Sequence, residues 1–135
     1  MVRFSNISTT EKNYPFVDAV VAADYVNGTF GTVADGTFTV AESGTYVIMN
    51  VESGDDAYSD DNTIVEGAHA RVADLTLVNG APLNITSAQL PDEVAVGDKL
   101  VANASGTLDV SADASTYIEV TEITPYGVNA VVVVA

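Results

Sequence analysis

A turn signature recurs at a fixed interval in the first half of this chain. Asn27-Gly28-Thr29-Phe30 is followed eight residues later by Asp35-Gly36-Thr37-Phe38, and after eight more by Ser43-Gly44-Thr45-Tyr46; Ser105-Gly106-Thr107-Leu108 is a looser fourth copy. Asn-Gly and Asp-Gly pairs accept the positive φ angles of tight turns. The spacing leaves room for strands of about five residues between turns. Phe38 and Val40 then share a strand face, because side chains alternate. So few copies cannot build a solenoid, and the expected arrangement is a β-meander that reuses one hairpin chemistry.

The remaining sequence continues in the same idiom. Val, Ala, Thr and Tyr are frequent and Leu is scarce, a mixture that favours strands over helices. Residues 16–23, FVDAVVAA, form a short helix or a strand; periodicity alone does not separate the two. Strands are expected at 46–51, within 64–78, at 83–86, 93–96, 99–102, 107–110, 117–124 and 128–134. Asn79-Gly80, Gly97-Asp98, Ser105-Gly106 and Pro125-Tyr126-Gly127 supply turns between them, and 52–62 and 112–115 read as loops. Ile118 and Val120 fall on one face of their strand. The last strand is apolar enough to be buried on both faces or between subunits, since an exposed apolar edge invites aggregation. Residues 1–15 are polar up to Tyr14-Pro15, which disfavours helix, and read as an extended N-terminal arm. Residues 16–135 form a single β-rich domain, with 53–63 the place where it would divide. The expected fold is all-β: a small antiparallel barrel or sandwich built from short hairpins. A length of 135 residues suits one domain.

Charge narrows the function. Nineteen acidic residues face four basic ones, Arg3, Lys12, Arg71 and Lys99, for a formal charge of −15. Nucleic acid is held by clustered Lys and Arg and anionic membrane by polybasic segments; neither partner is expected. Cysteine is absent, which removes disulfides, thiolate nucleophiles and Cys-bound zinc. No apolar run approaches the roughly 20 residues of a membrane helix. The segment MVRFSNISTTEKNYPF lacks the apolar core of a signal peptide, so synthesis and use in the producing cell's cytoplasm are expected.

Individual candidates carry little chemistry. Asp55, Asp56, Asp60 and Asp61 offer oxygen ligands for calcium, but the spacing lacks the Gly and Glu of an EF-hand, and a solvated loop is the expectation. The single histidine, His69, precedes Arg71 and Asp74. No GxSxG elbow accompanies it, and one histidine does not make a His-rich zinc site. His69, Arg71 and Ala73 share a strand face, with Arg71 expected to pair with a carboxylate. Glu119 and Glu122 provide two carboxyl groups of the kind glycosidases use, on a chain where carboxylates are abundant. Tyrosines without tryptophan give a modest case for a carbohydrate platform. Phosphate-loop and dinucleotide motifs are missing. No catalytic, cofactor-binding or metal-binding residue is assigned, no cofactor is expected, and the chain reads as a structural or binding protein rather than an enzyme.

The stretch LPDEVAVGDKLVANASGTLDVSADASTYIEVTEITPYGVNAVVVVA resembles the small decoration (cement) proteins of tailed-bacteriophage capsids. In that family a V-x-V-G-D-x-L strand-turn-strand leads into G-x-L, a further strand and a valine-rich ending. The matching residues here are Val94, Val96, Gly97, Asp98, Leu100, Gly106, Leu108 and Val131 to Val134. The resemblance implies a virion protein that binds the major capsid protein on the outer surface of an assembled shell and stabilises it. It further implies a homo-oligomer, a trimer first of all, with an arm reaching neighbouring capsid subunits; residues 1–14 suit that role. The chain departs from the family in lacking a Pro-rich arm, and 17–51 has no counterpart. An alternative is a β-rich binding module of a fibre, tail or adhesin that recognises a surface ligand such as polysaccharide.

Overall fold

The computed structural model describes residues 2–4, 16–49 and 63–135. In chain order the strands are β1 (Val2–Phe4), β2 (Phe16–Val21), β3 (Tyr25–Val26), β4 (Phe30–Ala34), β5 (Thr37–Thr39), β6 (Tyr46–Ile48), β7 (Thr63–Ile64), β8 (His69–Asp74), β9 (Pro82–Thr86), β10 (Lys99–Ala102), β11 (Leu108–Val110), β12 (Tyr117–Thr124) and β13 (Gly127–Val133). The fold is all-β, as the turn spacing predicts. It combines a closed five-stranded barrel, β2-β5-β4-β6-β8, a six-stranded sheet, β1-β9-β13-β12-β10-β11, and a small β3-β7 pair. The chain passes from barrel to sheet across 75–81, through a 3-10 turn at Leu75–Leu77 whose cap, Asp74, accepts from the Thr76 amide. The proposed division at 53–63 lies almost wholly outside the described residues.

The glycine repeat does not produce a meander. Asp35 (φ 52°) and Gly36 (φ 78°) close a true hairpin between β4 and β5. The turns at Gly28 and Ser43 instead send the chain to strands that are not its neighbours: β3 pairs with β7, and β6 pairs with β4 and β8. Barrel closure explains the difference. β2 takes β8 antiparallel on one side and β5 parallel on the other, and a parallel partner is out of reach of a tight hairpin. The closed ring leaves no barrel strand as an exposed edge.

Other expectations need adjusting. Residues 16–21 are strand, not helix. Residues 93–96 form no strand, because the Asp98 side chain accepts the Ala95 amide at 2.8 Å and turns the segment. Residues 2–4 are not part of a free arm: β1 pairs with β9 in the register Val2↔Ile85, Arg3↔Asn84, Phe4↔Leu83, and Val2 is buried. An apolar residue that covers the edge of β9 gains more there than in water. The rest of the expected arm, 5–15, lies outside the described residues. The last strand, β13, is central between β9 and β12, with Val128, Ala130 and Val132 buried while Asn129, Val131 and Val133 are half-buried on the other face.

Two apolar cores result. Inside the barrel lie Ala19, Val21, Phe38, Ile48, Ala70 and Val72. The larger core joins the barrel's outward residues Phe16, Phe30, Val47 and Ala73 to Leu83, Leu100, Leu108, Ile118, Val120 and Val132 of the six-stranded sheet. At this seam the backbones touch. The Phe30 amide donates to the Gly106 carbonyl at 2.8 Å, and the Ser43 amide donates to the Ala102 carbonyl at 2.8 Å. Within the barrel half the packing is as close: a β-carbon on Gly44 would overlap the backbone of Gly31, and one on Gly31 would overlap Thr39 and the tip of Phe38. At Gly106 (φ +85°) a β-carbon would lie 2.6 Å from Thr29 and 2.8 Å from Val40. Gly106→Ala should therefore cost about 2–4 kcal/mol, combining left-handed strain with overpacking. Gly36→Ala has the same strain but open space around it and should cost only about 1–2 kcal/mol; urea unfolding of the two variants measures the difference.

Candidate functional site

Strand alternation and pairing register together decide which side chains can form a site. On the six-stranded sheet, Leu83, Leu100, Ile118, Val120, Ala130 and Val132 turn toward the barrel. Their alternates form an outer face that no described element covers. One row across that face is Asn84, Asn129 and Glu122, set by the register of β9, β13 and β12. Within it Asn84 Nδ2 donates to Asn129 Oδ1, and Asn129 Nδ2 donates to Glu122 Oε1 at 2.6 Å. The next row is Pro82, Val131, Glu119 and Lys99. Lys99 Nζ lies 4.8 Å from the centre of the Tyr117 ring, a cation–π geometry.

A bulge sets the position of the two glutamates. On a regular strand Glu119 and Glu122 point to opposite faces. The register of β12 on β13 shifts between Val120 and Glu122, and the extra residue, Thr121, donates its hydroxyl to the Asn129 carbonyl at 3.1 Å. Both carboxylates consequently lie on the outer face. They stand on an open sheet, with Glu122 already engaged by Asn129. Sequence spacing alone gave no sign of this row; it depends on a bulge and on a register between distant strands.

The other candidates are dispersed. His69 is exposed, and its Nδ1 lies 2.7 Å from Asp18 Oδ2, not from Asp74. Asp74 instead serves Thr76 through its amide and hydroxyl. Arg71 is on the outside of the barrel, as expected from its alternation with Ala70 and Val72. Its Nε donates to the Met49 carbonyl at 2.9 Å and its guanidinium lies 4.2 Å from the centre of the Phe16 ring; burial pulls its pKa down. The four aspartates considered for calcium lie outside the described residues. Among the described residues no group of three or more His, Asp and Glu is placed to hold a metal ion. A cleft of about 30 Å³ opens at the seam where β10 and β12 diverge, bordered by Phe30, Ser43, Leu100, Tyr117 and Val132. It has room for little more than one water.

Comparison of the chain with protein-family models, with curated proteins and with solved structures found no match.

Tyr46 reports on the barrel's end. It pairs in register with Asp74, and its phenol pKa is raised by burial first and then by the charge of Asp74 and a hydrogen bond to it. A group whose acid form is favoured by folding stabilises fully below its unfolded pKa of about 10 and loses that contribution as pH rises through the folded value. Ultraviolet titration of the folded protein should show a late-ionising tyrosine that disappears in Tyr46→Phe. The variant should lose less stability than the parent between neutral pH and the alkaline range.

Proposed function

We propose that this chain is a structural protein that binds the outer surface of an assembled phage capsid and stabilises the shell. The observation that carries this reading is the resemblance of residues 90–135 to capsid decoration proteins, which falls on β10 to β13, four consecutive strands of one sheet. The turn shared with the resemblance, Val96-Gly97-Asp98, sits where the Gly97 amide (φ 91°) donates to the Val120 carbonyl and so ties the turn before β10 to β12. Decoration demands rigidity and contact area rather than a reaction. A closed barrel fused to a broad sheet through one continuous core supplies both. The partner is the major capsid protein, and the site of action is the outside of the virion after synthesis in the host cytoplasm.

The charge of −15 directs the chain toward a basic or neutral shell surface and away from the packaged nucleic acid. Mixing the protein with undecorated capsids and imaging them should reveal added density at regular lattice positions. Decorated shells should open at a higher temperature, because a ligand that binds only the intact state stabilises it. Occupancy should fall between low salt and about 0.5 M salt, where exposed charges are screened. Absence of ordered density at any salt concentration would sink the reading.

A further inference from the structure

Two Asn-Gly pairs occur in the sequence, Asn27-Gly28 and Asn79-Gly80; every other asparagine precedes a larger residue. Asparagine is thermolabile, and a following glycine leaves the peptide nitrogen uncrowded because it has no β-carbon. The fold treats the two pairs differently. Asn27 is 3% exposed and Gly28 is buried. Asn79 and Gly80 are both exposed, and a β-carbon on Gly80 would meet nothing within 4 Å. We propose that Asn79 is a site of spontaneous deamidation in the folded protein, and that its conversion loosens the end of β13.

Local geometry decides which pair can react. The Ala81 amide donates to the Val78 carbonyl at 3.0 Å and closes a turn with Asn79 and Gly80 at its centre. Gly80 has φ +84°, the left-handed value that a type II turn requires of its third residue. Two bonds tie this turn to β13: the Gly80 amide donates to the Val132 carbonyl at 2.7 Å, and the Val134 amide donates to Asn79 Oδ1 at 2.9 Å. Val134 lies past the last residue of β13, and releasing both bonds uncovers two residues that already face water. Freeing Gly28 demands more. Its amide donates to the Ile48 carbonyl at 2.9 Å, and the Ile48 amide donates to the Thr29 carbonyl at 3.0 Å. Ile48 belongs to the barrel interior and Phe30, beside Thr29, to the larger core. Openings that breach a core cost more than those at a strand end.

In the open turn the Gly80 nitrogen gives its proton to hydroxide and attacks Asn79 Cγ. An N–Cγ bond forms, the Cγ–Nδ2 bond breaks and Nδ2 leaves as ammonia, which gives a succinimide. Water then opens the ring. Cleavage of the new N–Cγ bond yields aspartate; cleavage of the original peptide bond yields isoaspartate, whose main chain runs through Cγ and is one carbon longer. No oxidant or reductant takes part. Aspartate keeps an acceptor for the Val134 amide and adds a negative charge. Isoaspartate lengthens the turn and moves Gly80 off the Val132 carbonyl, which slackens Val134 where it packs against the larger core.

The inference does not depend on capsid binding. The full chain, held at mildly alkaline pH with and without concentrated urea, is followed by mass spectrometry, with fragmentation placing each amide-to-acid change. The folded protein should convert Asn79 about tenfold or more faster than Asn27, a ratio set by the free energy of opening each site, and urea should bring the two rates together. The rate at Asn79 should rise with pH. Asn79→Gln should abolish the change at that position and keep the parent's circular dichroism. In the isolated isoaspartate fraction, hydrogen exchange at the Gly80 and Val134 amides should be faster than in fresh protein. A folded protein that keeps Asn79 intact, equal rates at Asn27 and Asn79 in the folded state, or unchanged exchange in the isoaspartate fraction would overturn the proposal.

Discussion

The close backbone contact between barrel and sheet is the constraint on which the rest of the molecule depends. Gly106 places no side chain between the layers, where a β-carbon would meet Thr29 and Val40, and the Phe30 and Ser43 amides bond across to the Gly106 and Ala102 carbonyls. Because the layers meet this closely, Phe30 and Val47 on the barrel's outside reach Leu100 and Leu108 and form one core with them. Burying a phenylalanine in such a place contributes about 2–3 kcal/mol.

Much of this was readable from residue order, and the failures have a common cause. Local chemistry located the Asp35-Gly36 hairpin, the strands Lys99–Ala102 and Tyr117–Thr124, and the last strand to within one residue at each end (128–134 expected, Gly127–Val133 found), because each is specified by its own turn and alternation. The partners of β2 were not readable: a parallel neighbour and an antiparallel one, both distant in sequence, are chosen by barrel closure. Residues 2–4 looked like the start of an arm because three residues carry too little pattern to announce a strand. The Asn84–Asn129–Glu122 row was hidden for the same reason, since a bulge at Thr121 inverts the parity that spacing alone would assign. Side chains with a local reading fared unevenly: Asp74 lies near His69 in sequence, yet Asp18 is its partner in space.

The acidic surface and the uncovered sheet face are two sides of one design. Turns and loops hold most of the described carboxylates, while the outward positions of β9, β10, β12 and β13 mix valine and asparagine with Lys99, Glu119 and Glu122. Such a partition keeps molecules apart in most orientations and permits approach in few. Orientation, more than strength, is what like-charged surfaces select.

The attachment of β1 has a kinetic meaning. Its partner β9 lies some eighty residues away along the chain, and β2 must wait similarly for β8. Folding dominated by such distant pairings is slow, because loop closure must precede the contacts that reward it. Until Val2–Phe4 docks, β9 presents an open row of amides and carbonyls beside Asn84. A chain with Val2–Phe4 undocked would leave β9 as the edge of a five-stranded sheet, which an extended peptide of suitable alternation could occupy.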